Sequence, residues 1–113
     1  MSAKKSPLWS WVGQRISALI LANGIPVHIN PIPLSDKKIS SSFVSERLSH
    51  TGWLIFDLLL LLCCVYHGLN GIYSISLDFN PDKKTTKALS LSFLILGITL
   101  SIYGILILWS FIR

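Results

Sequence analysis

The 113-residue sequence contains few charged residues: Asp, Glu, Lys and Arg together make up 13% of it, and only five residues are acidic. A soluble domain of ordinary composition carries about twice that share. Apolar residues account for 51% of the chain, and the mean hydropathy is +0.61. This shortage of charge excludes most soluble functions and predicts a membrane protein.

The charges that are present lie mainly in short clusters beside the apolar segments. The clearest basic clusters are Lys4–Lys5, Lys37–Lys38 and Lys83–Lys87. The net charge of +5 therefore does not form a basic face for nucleic acid, and we expect anionic lipid headgroups as its counterpart. The only two cysteines, Cys63 and Cys64, are adjacent within an apolar run, which argues against a structural disulfide.

Three apolar segments are long enough to cross a bilayer, which takes about 20 residues. They cover about residues 8–29, 52–77 and 88–112 of a single domain, residues 1–113, and the third carries no charge. The connection at 78–87 is short, so helices two and three are expected to form an antiparallel hairpin. The fold class predicted is an all-α membrane protein with three transmembrane helices. The polar stretch 35–50 predicts a short surface helix and nothing more.

The orientation of the chain is predicted from the basic residues on each side of the spans. Six lie on the side of the N-terminus: Lys4, Lys5, Arg15, Lys83, Lys84 and Lys87. Four lie on the other side: Lys37, Lys38, Arg47 and Arg113. The difference favours an N-terminus inside.

His67 is the first candidate functional residue, because it lies near the middle of the second span, where an ionisable side chain is costly. At about 100° per residue, Gly71, Ser74 and Asp78 share its helix face. A histidine followed by small residues suits a flat heme, whose iron the imidazole would bind. The alternative is a neutral histidine that bonds to a neighbouring helix. His28 and His50 lie toward the opposite surface, so a second iron ligand at this depth would come from another chain.

Arg15 and Asp78 form a second candidate site, since the first helix begins and the second ends on the same side of the membrane. A quinone headgroup needs hydrogen-bond donors for its carbonyl oxygens and protons from the aqueous side. Trp11 and Ser17 offer further donors nearby. The alternative is that Arg15 reaches the lipid headgroups and Asp78 only ends a helix. Asp57 has no assigned role; a partner helix or His50 are its expected partners.

Two motifs resemble one known family. The segment from His67 to Asp78, HGLNGIYSISLD, resembles the second-helix signature of the cytochrome-b membrane anchor subunits of succinate dehydrogenase, the succinate:quinone oxidoreductase or respiratory complex II, and of the related fumarate reductases. That signature has His, then Asn three residues later, Gly-Ile, and Asp eleven residues after the His. The segment from Trp11 to Ala18, WVGQRISA, is similar to the opening of helix one in these anchors.

The resemblance implies a role for each matching residue. His67 would be an axial ligand of heme b, with the other ligand from a second membrane anchor subunit. Arg15, with Asp78 close by, would lie at the ubiquinone or menaquinone pocket next to the iron–sulfur subunit, while a flavoprotein subunit oxidises succinate. This chain would perform no catalysis alone. The family often has Tyr directly after the Asp, and this chain has Phe79, so a different group must supply that hydrogen bond to the quinone.

The resemblance also implies a location and leaves two alternatives. A bacterial or archaeal plasma membrane is expected, or alternatively the mitochondrial inner membrane. A heme-free accessory subunit of a respiratory complex would have the same three spans, with His67 only packing. A small pore-forming, holin-like protein would also carry three spans and a basic end, and it would bind no pigment.

Overall fold

The computed structural model describes residues 8–30 and 39–113 of the chain. These residues form four helices and no strand: α1 spans Leu8–Ile29, α2 spans Ser41–Ser49, α3 spans Thr51–Asp78 and α4 spans Lys83–Ile112. The prediction of an all-helical chain is confirmed, and the short helix α2 lies in the polar stretch. Four residues of the charge count, Lys4, Lys5, Lys37 and Lys38, lie outside the described residues, so the orientation stays a prediction.

The link between α3 and α4 is a tight reversal that the local sequence explains. Asn80 adopts the left-handed conformation with φ 52°, which asparagine tolerates better than most residues. Pro81 follows and cannot continue α3, because it lacks an amide hydrogen. Asp82 then caps α4, since its carboxylate accepts a hydrogen bond from the Thr85 amide at 2.8 Å. The two long helices therefore run antiparallel.

The long helices form a row with α3 in the middle. Helix α1 packs on one side of α3 and α4 packs on the other, and within the described residues α1 and α4 do not contact each other. Helix α2 contacts α3 and α4 at the end where α3 begins and α4 ends. The Ser45 hydroxyl of α2 donates a hydrogen bond to the Phe111 carbonyl of α4 at 2.8 Å, which holds α2 against the end of α4. Both broad faces of the row therefore remain open.

Few side chains of this row are buried. The buried apolar residues are Leu21, Leu48 and Leu60, and α4 contributes none. Most large apolar side chains of α4 instead point outward, an arrangement that lipid or partner subunits stabilise and water does not. Helices α3 and α4 are both long and apolar enough to cross a membrane. Helix α1 has 22 residues but is less apolar, so the third span stays a prediction.

Glycines let the outer helices approach α3 closely. A Cβ atom at Gly13 of α1 would collide with the phenol ring of Tyr66. On α4, a Cβ atom at Gly104 would lie only 2.7 Å from both methyl carbons of Leu61. Side chains of α3 thus fill the space above glycines on both neighbours, as in other membrane helices whose small residues permit close packing.

Replacing Gly104 with Val should weaken the contact between α3 and α4. The added methyl groups overlap Leu61, so we expect the free energy of unfolding to fall by about 1–3 kcal/mol. Titration with a denaturing detergent in mixed micelles measures this change. The control is Gly52→Val, because a Cβ atom at Gly52 has no neighbour within 4 Å. Equal stability of the two variants would contradict the packing described here.

Candidate functional site

Polar side chains of α1 and α3 face each other across the helix contact. Ser10, Gln14 and Ser17 follow one another at spacings of four and three residues, which places them on one face of α1. His67 and Asn70 lie opposite on α3. We call these five residues the His67 network. Its members are partly buried or buried, so each polar group needs a partner inside the protein.

Asn70 joins the two helices through its side-chain amide. Its oxygen accepts a hydrogen bond from the Ser10 hydroxyl at 2.7 Å, and its nitrogen donates to the Gln14 side-chain oxygen at 2.9 Å. The Gln14 amide nitrogen in turn donates to the backbone carbonyl of His67 at 3.3 Å. A Cβ atom at Gly71 would come within 3.1 Å of that nitrogen, so a glycine at this position leaves room for it. The side-chain amides of Asn70 and Gln14 therefore fix the position and rotation of α1 relative to α3.

Ser17 provides a hydrogen-bond partner for Nδ1 of His67. The Ser17 hydroxyl, which is only 4% exposed, lies 3.1 Å from Nδ1 of His67 and 3.1 Å from the Gln14 carbonyl oxygen. The hydroxyl donates to the Gln14 carbonyl, so its oxygen is left to accept from Nδ1–H in the tautomer of His67 that carries its proton there. This tautomer leaves the lone pair on Nε2, which has no partner among the described residues.

The surface of α3 beside His67 includes a glycine, Gly68, and therefore lacks a side chain there. At about 100° per residue, Gly68 lies about 100° around α3 from His67, and a Cβ atom there would meet no atom within 4 Å. Gly71 instead faces α1, because a Cβ atom there would lie 3.1 Å from the Gln14 side-chain nitrogen. The helix therefore offers a partly exposed imidazole next to one open position, Gly68. A flat group could lie against this position.

The residues predicted for the quinone site lie at three separate locations in the structure. Trp11 and Arg15 are exposed near the start of α1, with the guanidinium carbon 5.0 Å from the centre of the indole ring. Asp78 is exposed at the end of α3, and within the described residues it makes no ion pair with Arg15. Ser17 is buried against His67 instead of lying with Trp11 and Arg15. All of them lie in the half of the row where α3 ends.

A second polar cluster lies at the opposite end of the row. Asp57 Oδ1 accepts from His28 Nδ1 at 2.8 Å and from a terminal nitrogen of Arg47 at 3.1 Å. The side chains of Arg47 and Asp57 are each only 10% exposed. The guanidinium of Arg47 also donates to the His28 carbonyl at 3.0 Å and stacks 4.2 Å from the ring centre of Trp53. We call His28, Arg47 and Asp57 the Asp57 cluster.

The Asp57 cluster corrects the expected partners of Asp57. Asp57 pairs with neighbouring helices, through His28 of α1 and Arg47 of α2, and not with His50. Arg47 lies on α2, so the ion pair holds α2 against the ends of α1 and α3. One sequence signal could have identified the ion pair between Arg47 and Asp57. Arg47 is a basic residue within a weakly amphipathic helix, and it lies ten residues before a carboxylate in the next span. Asn70 and Gln14 were not identified from the sequence as site residues either. Each lies three residues from a candidate residue on the same helix, Asn70 from His67 and Gln14 from Ser17.

Comparison with known proteins finds one family. The profile of the succinate dehydrogenase/fumarate reductase transmembrane subunits matches residues 1–109. A relative from Thermoplasma acidophilum, the succinate dehydrogenase hydrophobic membrane anchor subunit, is 24% identical over 86 residues, which make up 76% of this chain and 70% of the relative. The match covers the His67 network, the Asp57 cluster and nearly the whole of the long helices.

Removing Asp57 alone should destabilise the protein more than removing the whole ion pair. Asp57→Leu leaves the Arg47 guanidinium buried without its carboxylate, which costs about 3–5 kcal/mol. The double variant Asp57→Leu with Arg47→Leu removes both charges and should recover part of that loss. Detergent unfolding of the wild type, both single variants and the double variant gives the coupling energy. Strictly additive effects would contradict a direct interaction.

Proposed function

Because the chain belongs to the succinate dehydrogenase/fumarate reductase transmembrane subunits, we propose that it binds heme b through His67 and forms part of the quinone site. The chain is a membrane anchor subunit and part of a larger complex. The proposed neighbours are a second anchor subunit, an iron–sulfur subunit and a flavoprotein subunit that oxidises succinate. The choice between a bacterial or archaeal plasma membrane and the mitochondrial inner membrane stays a prediction.

The contact between Ser17 and His67 is the observation that carries the heme proposal. Imidazoles that bind metals usually donate their other ring N–H to an acceptor, which fixes the tautomer and makes the ligating nitrogen more basic. Ser17 provides such an acceptor, and the Gln14 carbonyl holds the hydroxyl in the right orientation. Gly68 leaves open space beside the imidazole, since a Cβ atom there would meet no atom within 4 Å. The residues present therefore fit a heme iron on Nε2 of His67.

One imidazole accounts for one of the two axial positions. His28 is held by Asp57 at the other end of the row, so it does not approach His67. We therefore assign the second axial ligand to the second anchor subunit, which would lie against the open face. When bound, heme b supplies a one-electron carrier within the membrane.

Arg15 is the residue proposed to orient the quinone headgroup. Its guanidinium is exposed and stacks on Trp11, so its N–H groups can donate to a carbonyl oxygen while the aromatic ring limits their motion. Asp78 is exposed at the same end and can pass protons from water. The buried Ser17 hydroxyl is already engaged, so we assign it to His67 and not to the quinone.

The quinone chemistry needs two electrons and two protons for each quinone reduced to quinol. Oxidation of one succinate to fumarate by the flavoprotein releases two electrons, which the iron–sulfur subunit carries to the membrane. The contribution of this chain is to bind and orient the quinone and to deliver protons at Asp78. Phe79 is 84% exposed and has no hydroxyl, so a donor from another chain or another residue of this chain must complete the headgroup contacts.

The heme assignment predicts a change in the absorption spectrum. The purified complex should show a b-type band in a reduced-minus-oxidised spectrum, and His67→Ala should remove it because the iron loses an axial ligand. Ser17→Ala should keep the band but shift the midpoint potential, since Nδ1 loses its acceptor, and Ser17→Thr should restore it.

Two outcomes would contradict the assignment. A wild-type complex without a b-type band would leave a heme-free accessory subunit as the function. A band that persists at full intensity in an assembled His67→Ala complex would move the ligand to another residue. The matched control is His50→Ala, because His50 is exposed and precedes α3 at the opposite end of the row.

Arg15→Ala should slow electron transfer to quinone at least tenfold, because the headgroup loses a charged hydrogen-bond donor. Succinate oxidation with a soluble artificial acceptor should stay unchanged, since that reaction does not use the membrane site. Both rates are measured on the same purified complex. Lys84→Ala is the control for loss of one positive charge at this end of the row. Equal loss of both activities would contradict a local role at the quinone.

A further inference from the structure

A groove follows one face of the α3–α4 pair toward the end where α4 begins. Its inner part has a volume of about 600 Å³ and is lined mainly by apolar side chains, among them Leu62, Leu69, Phe93 and Ile98. An outer part continues to Lys83 and Lys87. Tyr73, Ser90 and Leu94 line both parts, so the two form one continuous groove.

The inner part of the groove offers few free polar groups to an occupant. Asn70 lines it, but the amide is already bonded to Ser10 and Gln14. The ring of Tyr73 packs edge to face against Phe93, with centroids 6.1 Å apart. An apolar and flexible chain suits this surface better than a polar molecule. The inner part of the groove is therefore suited to a hydrocarbon chain.

The outer end of the groove has the opposite character. Lys83 and Lys87 are four residues apart and lie on one face of α4, and both line the groove. Neither makes an ion pair with a carboxylate of the described residues. The nearby Asp82 carboxylate is used to cap α4. Two ammonium groups at a membrane surface attract a phosphate, and each adds about 1 kcal/mol of binding to anionic lipid.

The length of the groove suits a lipid tail. The helix rises about 22 Å from Lys87 to Ile102 at the inner end. One leaflet of a bilayer is roughly half of the 30 Å hydrocarbon core, so a full acyl chain fits along this distance. Lys84 is rotated by about 100° from Lys83 and does not line the groove.

We propose that this groove is a binding site for one anionic phospholipid. One acyl chain lies along the inner part between α3 and α4, and the phosphate sits between Lys83 and Lys87. His67 does not line the groove, which shares only Asn70 with the His67 network, so the proposal does not depend on the proposed heme or quinone functions. A helix of a second subunit and the tail of a quinone are the competing occupants.

Photo-cross-linking in defined membranes tests the proposal. The whole complex is reconstituted into phosphatidylcholine nanodiscs that contain a small fraction of phosphatidylglycerol with a photoreactive group on its acyl chain. Mapping of the labelled peptides should place the lipid at Leu94 and Ile98. In the double variant Lys83→Ala with Lys87→Ala, roughly 30-fold more phosphatidylglycerol should be needed for the same labelling. Lys84→Ala, the matched control, should behave like the wild type.

A second pair of variants tests the shape of the groove without changing its charge. Leu94→Trp should fill the groove and block labelling, whereas Ile95→Trp changes an exposed residue that does not line it. Equal labelling by a phosphatidylcholine probe, or no difference between Lys84→Ala and the double lysine variant, would overturn the proposal. Labelling that falls on other subunits and not at Leu94 or Ile98 would also overturn it. The b-type band should be unchanged in every variant, so a failure here is distinct from a failure of the heme assignment.

Discussion

The structure depends on one constraint: polar groups on membrane helices must satisfy each other, because lipid offers them no hydrogen bonds. Five side chains of α1 and α3 meet this requirement together in the His67 network. Asn70 and Gln14 serve both as donors and as acceptors across the interface. The rotation of both helices about their axes is therefore set by these bonds, and the direction of the His67 ring follows from that rotation.

The same constraint explains how the two ends of the row differ. At one end, Arg47 and Asp57 neutralise each other in a nearly closed environment and fasten α2 to the long helices. At the other end, Arg15, Asp78 and Lys87 are all exposed. Charges that are paired within the chain serve its own stability, whereas the exposed ones remain available to headgroups, quinone or neighbouring subunits. Arg47 and Asp57 are thus paired at one end of the row, and Arg15, Asp78 and Lys87 are exposed at the other.

Local features of the fold could be predicted from the sequence, and long-range pairings could not. The apolar runs and the Asn80-Pro81 pair locate the helices and the reversal within a few residues, because each depends only on neighbours along the chain. The shared face of His67 and Gly71 follows from helix geometry alone. The contact between Ser17 and His67 depends instead on how α1 is rotated against α3, across 50 residues of sequence. The partner of Asp57 was missed for the same reason, since α2 had to be placed first.

The arrangement with α3 in the middle has a consequence for synthesis. Helix α1 emerges from the ribosome first, with Ser10, Gln14 and Ser17 along one face and no complementary side chains yet made. Their partners on α3 are translated only after the loop and α2 have followed. On its own, α1 therefore exposes polar side chains that an apolar environment would leave without partners. Contact with α3 supplies those partners, so stable packing of the first helix waits for residues about fifty positions later in the chain.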